Sequence, residues 1–202
     1  MGHYPFNTNL ARTAQTDVDH VQTDLKSIVH YGLSTPAAAD VDYYAAAQDM
    51  LVGAYTLNAS LSCPEGARNV TVTHADTVAT DTLGTIVIVG TDLADESISE
   101  TITPVANSTV QGTKAFKTIV SVTGAGWVVS AGVDKDHVSI GFGDLIGLPD
   151  KLTHNTVLAA VLNNVREATA PTVAVSATVL ASNTVDLNSA LGGTPVDIYY
   201  IP

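Results

Sequence analysis

The feature that most constrains the fold of this 202-residue chain is a succession of short alternating runs between residues 50 and 142. VTVTH at 70–74 alternates strictly between apolar and polar residues, and TIVIVG at 85–90 is apolar enough to be a central strand. Clusters of Gly, Asp, Asn and Pro separate the runs. Such a pattern is typical of antiparallel sheets. The sequence therefore predicts a mainly β protein whose body is an antiparallel β-sandwich or is barrel-like.

Further runs continue this pattern toward the C-terminus. They are SISETITP at 97–104, KTIVSVT at 117–123, WVVSAG at 127–132, HVSIGFG at 137–143, PTVAVSATVLAS at 171–182 and PVDIYYIP at 195–202. Two glycine-rich pieces, residues 124–126 and GFGDLIG at 141–147, are predicted to be turns. TVLAAVLNNVREA at 156–168 fits a short helix or a buried strand equally well, because periodicity does not separate the two at this length.

The N-terminal segment has a different period. Between Ala11 and Tyr31, apolar residues recur every three or four positions, a spacing that places them on one stripe of a helix. The stripe consists of Ala11, Ala14, Val18, Val21, Leu25 and Ile28. We predict a helix that ends at Gly32 and that packs on its own domain, lies as an arm or joins subunits as a short coiled coil. The last four residues of the stripe are candidate interface residues.

Three segments follow from these patterns. Residues 1–49 are predicted to be an N-terminal arm and connector, helical or extended, in which the Ala-rich stretch 34–49 contains at most a short helix. Residues 50–148 are predicted to form the β-sandwich module. Residues 149–202 are predicted to form a C-terminal β-rich segment that completes or adjoins the body.

The composition narrows the class of protein. The apolar fraction is 46%, yet there is one Trp and there are three Phe, so small and β-branched residues must build the core, which favours sheet. The lone Cys63 forms no internal disulfide and is expected to be a small buried residue. The net charge of −12 disfavours direct contact with nucleic acid. With no long apolar window and no cationic leader, we expect a soluble protein made in the cytoplasm, with no membrane contact.

Motifs for catalysis are missing from the sequence. The six histidines show no HExxH or paired spacing, and no GxSxG elbow occurs. GFGDLIG misses the dinucleotide-binding fingerprint by one position. We therefore expect a protein that is not an enzyme and that binds no cofactor.

Two acidic loops are the candidates for a metal site. One contains Asp92, Asp95 and Glu96, and the other contains Asp134 and Asp136. Oxygen ligands in loops suit calcium, but neither loop has the EF-hand spacing. Asp is also frequent in β-turns for its own hydrogen bonding. We therefore expect no metal at either loop.

The aromatic residues have two possible roles. Trp127 either anchors an interface or belongs to the core, since Trp is enriched in both. Tyr43, Tyr44, Tyr199 and Tyr200 either form an exposed platform for a ligand or pack inside the fold.

Two parts of the sequence resemble a known family. ARNVTVTHADTVATDTLGTIVIVGTDLADESISETITP at 67–104, with VQGTKAFKTIVSVTGAGW at 110–127, resembles a module that recurs in virion proteins of tailed bacteriophages. NTVDLNSALGGTPVDIYYI at 183–201 is similar to the end of the same kind of protein. The resemblance implies a small structural protein of the virion, associated with capsid decoration or with another structural role.

From this resemblance we expect a capsid decoration, or cement, protein on the exterior of the virion. It would bind the major capsid protein, bridge neighbouring subunits and stabilise the assembled shell by mass action. We expect the body to self-associate, with a trimer favoured, and the N-terminal arm to reach a neighbour. The alternative is a receptor- or glycan-binding module of the tail or baseplate, which would present exposed aromatic side chains.

Overall fold

A computed structural model describes the backbone of residues 13–15, 22–24, 27–50, 53–58, 61–75, 82–128 and 136–202. In these ranges the chain consists of strands and loops, and the single helical element is the 3-10 turn Leu180–Ser182. All strand pairs are antiparallel. The predicted mainly β, antiparallel fold is therefore confirmed.

The described residues form fifteen strands. They are β1 (Thr13–Gln15), β2 (Gln22–Asp24), β3 (Val29–Leu33), β4 (Asp40–Asp49), β5 (Arg68–Ala75), β6 (Thr82–Thr91), β7 (Ser97–Ile102), β8 (Thr109–Phe116), β9 (Thr118–Val128), β10 (His137–Gly147), β11 (Val157–Leu162), β12 (Val165–Arg166), β13 (Thr172–Ala174), β14 (Thr184–Asp186) and β15 (Val196–Tyr200). Within the predicted β-sandwich module, β8 is a strand that the sequence patterns did not predict, because Gln, Gly and Lys interrupt its alternation.

The strands form four sheets. The largest is centred on β10, which pairs with β5 on one side and with β4 and β14 on the other, while β8 and β13 extend it. A three-stranded sheet has the order β7-β6-β9, and a four-stranded sheet has the order β12-β11-β15-β3. β1 and β2 form a two-stranded sheet.

The six-stranded and three-stranded sheets enclose one barrel-like body. Residues 53–58 run between β9 and β4: the backbone N–H of Tyr55 donates to the carbonyl of Val122 (3.0 Å), and that of Asn58 donates to the carbonyl of Tyr44 (2.7 Å). On the opposite side, β7 lies against β8. The two sheets therefore approach each other along both edges.

Glu100 makes the connection between β7 and β8. Its carboxylate accepts hydrogen bonds from the backbone N–H of Thr113 (2.7 Å), from Thr113 Oγ1 (2.9 Å) and from the backbone N–H of Lys114 (3.3 Å). Lys114 Nζ donates to the carbonyl of Ser99 (2.7 Å). Since β7 and β8 belong to different sheets, these side chains supply the contact that a backbone ladder would supply elsewhere.

We expect Glu100→Ala to lower the free energy of unfolding by about 1–2 kcal/mol, because backbone donors of β8 lose a charged acceptor. Glu96→Ala is the matched control, since Glu96 is an exposed residue of the turn before β7. Its effect should stay within about 0.5 kcal/mol. Urea unfolding followed by circular dichroism measures the stability of both variants. Equal losses of stability would show that the Glu100 carboxylate does not hold β7 against β8.

Two apolar cores lie along β10. The first, between the six-stranded and three-stranded sheets, is built mainly from Val and Ile of β5, β6, β9 and β10, together with Tyr44 and Phe142. The second lies under the four-stranded sheet and includes Ile146, Ile198 and Tyr200. β10 contributes Phe142 to the first core and Ile146 to the second, so the two cores are joined through its backbone.

Arg68, on β5, is the largest polar side chain enclosed by the fold, with 1% of its surface exposed. Its guanidinium donates hydrogen bonds to the carbonyl oxygens of Gly143 (2.8 Å) and Ala37 (3.1 Å) and to the Asp144 carboxylate (2.9 Å). Buried guanidinium groups require such partners. Arg68 therefore ties β5 to β10 and to the segment before β4.

Between Ala11 and Tyr31, the described residues 13–15, 22–24 and 29–31 are in strands, so they adopt the extended of the two predicted forms and not the helical one. β1 pairs with β2, with Ala14 opposite Thr23, and β3 pairs with β15 along its whole length. Pairing with β15 satisfies the backbone of β3 and buries Leu33 in the second core, with 6% of its surface exposed. Tertiary pairing thus overrides the helical spacing of the apolar residues.

The stretch 34–49, predicted to be a connector with at most a short helix, contains β4. This strand pairs with the first half of β10, and its residues Tyr44 and Ala45 are fully buried in the first core. The predicted division at residue 49 does not separate an arm from the body, because β3 and β4 both belong to the body.

The predicted turns at residues 124–126 and 141–147 are parts of β9 and β10. At the first glycine of β9, the Trp127 indole ring takes the space that a side chain would need. At Gly141, the carbonyl oxygen of Asp40 on β4 takes that space. Each glycine therefore lets a neighbouring group pack closely against its strand, and neither reverses the direction of the chain.

Residues 156–168, predicted to be a short helix or a buried strand, form a β-hairpin. β11 and β12 are joined by Asn163 and Asn164, whose φ angles are 51° and 61°. A two-residue hairpin turn of type I′ has positive φ at both positions, and asparagine adopts such angles more readily than most residues.

Candidate interaction surface

The predicted interface residues fall in different parts of the molecule. Three of them have side chains outside the described residues: Val18, Val21 and Leu25. Ile28, directly before β3, is 61% exposed. Trp127, on β9, is partly buried against the first core and stacks on Tyr55, with ring centroids 6.3 Å apart. Ile28 and Trp127 are associated with different sheets, so the structure does not bring them together.

A surface that the motif analysis missed lies on the three-stranded sheet. In β6, β7 and β9 the only charged residue is Glu100, and its carboxylate is directed to β8. The side chains of Ile86, Ile88 and Ile102 point into the first core. We call the opposite side the uncharged face. It consists of Thr85, Val87, Val89, Thr91, Ser97, Ser99, Thr101, Thr118, Val120, Ser121, Thr123 and Ala125.

The register of the strands explains how this face is assembled. Val87, on the central strand β6, lies between Thr101 of β7 and Thr123 of β9. Val120 sits at an irregularity in the pairing of β9 with β6 and is 62% exposed. An extra residue in one strand turns its side chain outward. The uncharged face therefore has valine side chains at its centre and along one edge, and Thr and Ser hydroxyls between them.

The uncharged face continues into a groove at one end of the sheet. The groove has a volume of about 590 Å³ and is lined by residues 82–85, 103–106 and 125–126, which include Leu83 and Pro104. None of the residues that line it is charged. The sequence signal for the whole surface is the lack of charge at the outward positions of three consecutive predicted strands, in a chain of which 14% is charged.

The outer face of the four-stranded sheet has a different character. His30 Nε2 lies 2.6 Å from the Asp197 carboxylate, and the His30 ring stacks on Tyr199 with centroids 4.9 Å apart. Arg166 lies on β12 of the same sheet. This face therefore carries charged and titratable groups.

The four tyrosines considered for an aromatic platform do not share a surface. Tyr44 and Tyr200 are fully buried, one in each core. Tyr43 is partly buried and packs against the first core, in edge contact with Phe142. Tyr199 alone among the four lies on an outer face, and His30 covers one side of its ring.

The carboxylates of the first acidic loop have partners within the fold. Asp92 Oδ1 accepts hydrogen bonds from the backbone N–H groups of Ala94 (2.9 Å) and Glu96 (3.1 Å). Asp95 Oδ1 accepts a hydrogen bond from Lys117 Nζ (2.6 Å). These contacts give the acidic residues a role in shaping the β6–β7 turn.

The other candidate ligands are distributed through the molecule. Asp134 lies outside the described residues, and Asp136 is buried with its Oδ2 atom 3.6 Å from His74 Nε2. Cys63 is 8% exposed, as predicted, and burial raises the pKa of its thiol. In the described ranges, no group of three or more His, Cys, Asp or Glu side chains is arranged to hold a metal ion.

Within the part of the chain that the structure describes, no helix has the length and apolar character that a membrane crossing requires.

Comparisons with protein-family models, with curated proteins and with solved structures gave no match to this chain. The uncharged face is therefore the candidate functional surface on the strength of its own composition and exposure.

Proposed function

We propose that this chain is a structural protein of a tailed-bacteriophage virion and that it decorates the exterior of the capsid. One observation carries the proposal: the sequence that resembles virion proteins, residues 67–127, supplies β5 to β9 and with them the entire uncharged face. Surfaces that combine apolar side chains with uncharged polar groups are typical of contacts between proteins.

The proposed mechanism is stabilisation of an assembled lattice. A protein that binds neighbouring copies of the major capsid protein only in the assembled shell lowers the free energy of that shell relative to its parts. At a free concentration of one hundred times Kd, the gain is about 2.7 kcal/mol per occupied site. No covalent chemistry is needed, and many weak contacts add up over the particle.

The segment proposed to reach a neighbouring subunit is shorter than the sequence predicted. β3 and β4 are parts of the body, so the residues available for this role are 1–26 together with Ile28, which is exposed. This segment includes β1 and β2.

Deleting residues 1–26 is expected to weaken binding to capsids by at least about tenfold while the body stays folded, because β3 keeps its pairing with β15. Binding isotherms on capsids measure the first effect, and the urea midpoint measures the second. A longer deletion that removes Val29–Leu33 is the contrasting variant, since it takes a strand from the four-stranded sheet. Full capsid affinity of the 1–26 deletion would contradict the proposed role of this segment.

The location on the particle is tested by co-sedimentation of the purified chain with mature capsids and, separately, with isolated tails. Saturation at many copies per capsid is the expected result. A few copies confined to tails would overturn the decoration role in favour of a tail or baseplate module that binds a receptor or glycan.

A further inference from the structure

We infer that the uncharged face is a self-association surface on which a second copy of this chain docks, sheet against sheet. The inference deepens the self-association that accompanies the proposed function, but it concerns the purified chain alone. Its test therefore contains no capsid, and its outcome is separate from that of the decoration proposal.

Charge determines where two copies can meet. Each chain has a net charge of −12, so two copies repel each other over most of their surfaces. The repulsion is least where neither copy presents a charged side chain. The uncharged face meets this condition over three strands, whereas the outer face of the four-stranded sheet presents Asp197, His30 and Arg166.

Among the residues that the structure describes, exposed acidic side chains lie beside the uncharged face at the end formed by the β6–β7 turn. Asp95 and Glu96 are in the β6–β7 turn, and Asp95 is already paired with Lys117. In a face-to-face pair whose two-fold axis runs across the strands, the β6–β7 turns of the two copies lie at opposite ends of the contact. This arrangement keeps the carboxylates of the two turns apart.

The side chains of the face suit packing against an identical face. The methyl groups of Val87, Val89 and Val120 can interdigitate at the usual separation of about 10 Å between packed sheets. The surrounding Thr and Ser hydroxyls both donate and accept hydrogen bonds, so they can pair with the same residue types on the other copy. A face that complements itself gives a closed two-fold dimer, which differs from the trimer expected from the sequence.

The area of the face sets the strength of the association. Three strands spaced about 4.8 Å apart, over seven residues of β6, cover about 300 Å². A standard interface buries about 800 Å² on each partner. We therefore expect a weak dimer, with a Kd of about 0.1 to 1 mM, that forms readily only where the chain is concentrated.

Salt provides a signature of this kind of contact. Ions screen the repulsion between two acidic copies, while a contact without charged groups loses nothing to screening. Association through the uncharged face should therefore strengthen between about 0.05 and about 0.5 M NaCl, since the Debye length falls from about 14 Å to about 4 Å. An interface held by ion pairs would weaken over the same range.

The test is sedimentation equilibrium of the full chain over a range of concentrations up to about 1 mM, chosen to span the expected Kd. The wild-type mass should rise from 20.9 kDa toward twice that value. Val120→Glu places a carboxylate on the face and should weaken association at least about tenfold. Val165→Glu is the matched control, because Val165 is 68% exposed on β12 of a different sheet. It should associate as the wild type does.

Thr101→Glu is a second variant of the uncharged face, because Thr101 is an exposed residue of β7. It should weaken association as Val120→Glu does, with an unchanged circular dichroism spectrum. A wild type that stays monomeric at about 1 mM would overturn the inference, as would equal losses in Val120→Glu and Val165→Glu. A limiting mass of three chains would likewise overturn the face-to-face arrangement.

Discussion

Gly141→Ala is expected to lower the free energy of unfolding by about 3 kcal/mol or more. A Cβ atom at this position in β10 would overlap the carbonyl oxygen of Asp40 and would lie 2.5 Å from the carbonyl carbon of Val41. Both atoms belong to the backbone of β4, so no change of side-chain rotamer relieves the overlap. Either β4 must move away from β10, or the first core must open beside Tyr44, which is fully buried.

Gly192→Ala is the matched control for this prediction. No atom lies within 4 Å of a Cβ placed on Gly192, so its effect should stay within about 0.5 kcal/mol. Urea unfolding, followed by tryptophan fluorescence and by circular dichroism, measures both variants. A Gly141→Ala protein as stable as the control would mean that β4 does not approach β10 as closely as described.

Arg68→Ala is expected to lower the free energy of unfolding by about 3–5 kcal/mol. The change leaves the buried carbonyl of Gly143 and the partly buried carbonyl of Ala37 without their donor, and it removes the cation from Asp144. It also removes a contact with an aromatic ring, since the guanidinium carbon lies 5.1 Å from the centroid of Phe142. Burial lowers the pKa of the Arg68 guanidinium, and the nearby Cys63 and Asp144 act in the opposite direction. The net contribution of the Arg68 guanidinium to the stability of the fold therefore depends on all of its partners.

Two further variants separate the causes. Arg166→Ala removes an exposed arginine from β12 and should change stability by no more than about 0.5 kcal/mol. Arg68→Lys keeps the charge but loses the planar set of donors, so it should fall between the wild type and Arg68→Ala. Denaturant midpoints and slopes give the comparison. If Arg68→Lys matched the wild type, the charge alone rather than the hydrogen-bond geometry would stabilise this site.

The sequence predicts a strand best when apolar and polar residues alternate along it and the apolar ones all point into a core. In β5, Val70 and Val72 point into the first core, and the threonines that follow each of them point to the other side of the sheet. Hydrophobic periodicity detects this difference directly. The prediction failed for β3, whose residues lie among apolar positions with helical spacing, because its structure depends on a partner strand far along the chain.

Glycines and buried polar residues show a second limit of prediction from sequence. Gly141 has the composition of a turn, and only the crossing of β4 reveals that it lies within a strand. Asn183 is fully buried and bonds to the carbonyls of Ser176 and Val179 and to the backbone N–H of Leu152. Its sequence neighbourhood does not distinguish it from an exposed loop asparagine, because the Leu152 N–H that completes this network comes from a distant segment.

The candidate surface was predictable in part. The strands that form it were predicted from the sequence, and their lack of charged residues is visible there. Alternation along the predicted strand already places Glu100 on the side of the sheet opposite to Thr101. What the sequence did not provide was the partner of the Glu100 carboxylate, which bonds to β8.

The pairing of β3 with β15 has a consequence for the timing of folding. The contact between His30 and Asp197 spans 167 positions of the chain, so the four-stranded sheet cannot close until the ribosome has passed residue 200. Closing so long a loop delays pairing and slows folding relative to proteins with local contacts. During synthesis, β5 to β9 have their partners first, and β3 waits with Leu33 uncovered. The nascent chain therefore acquires its uncharged face well before its second core.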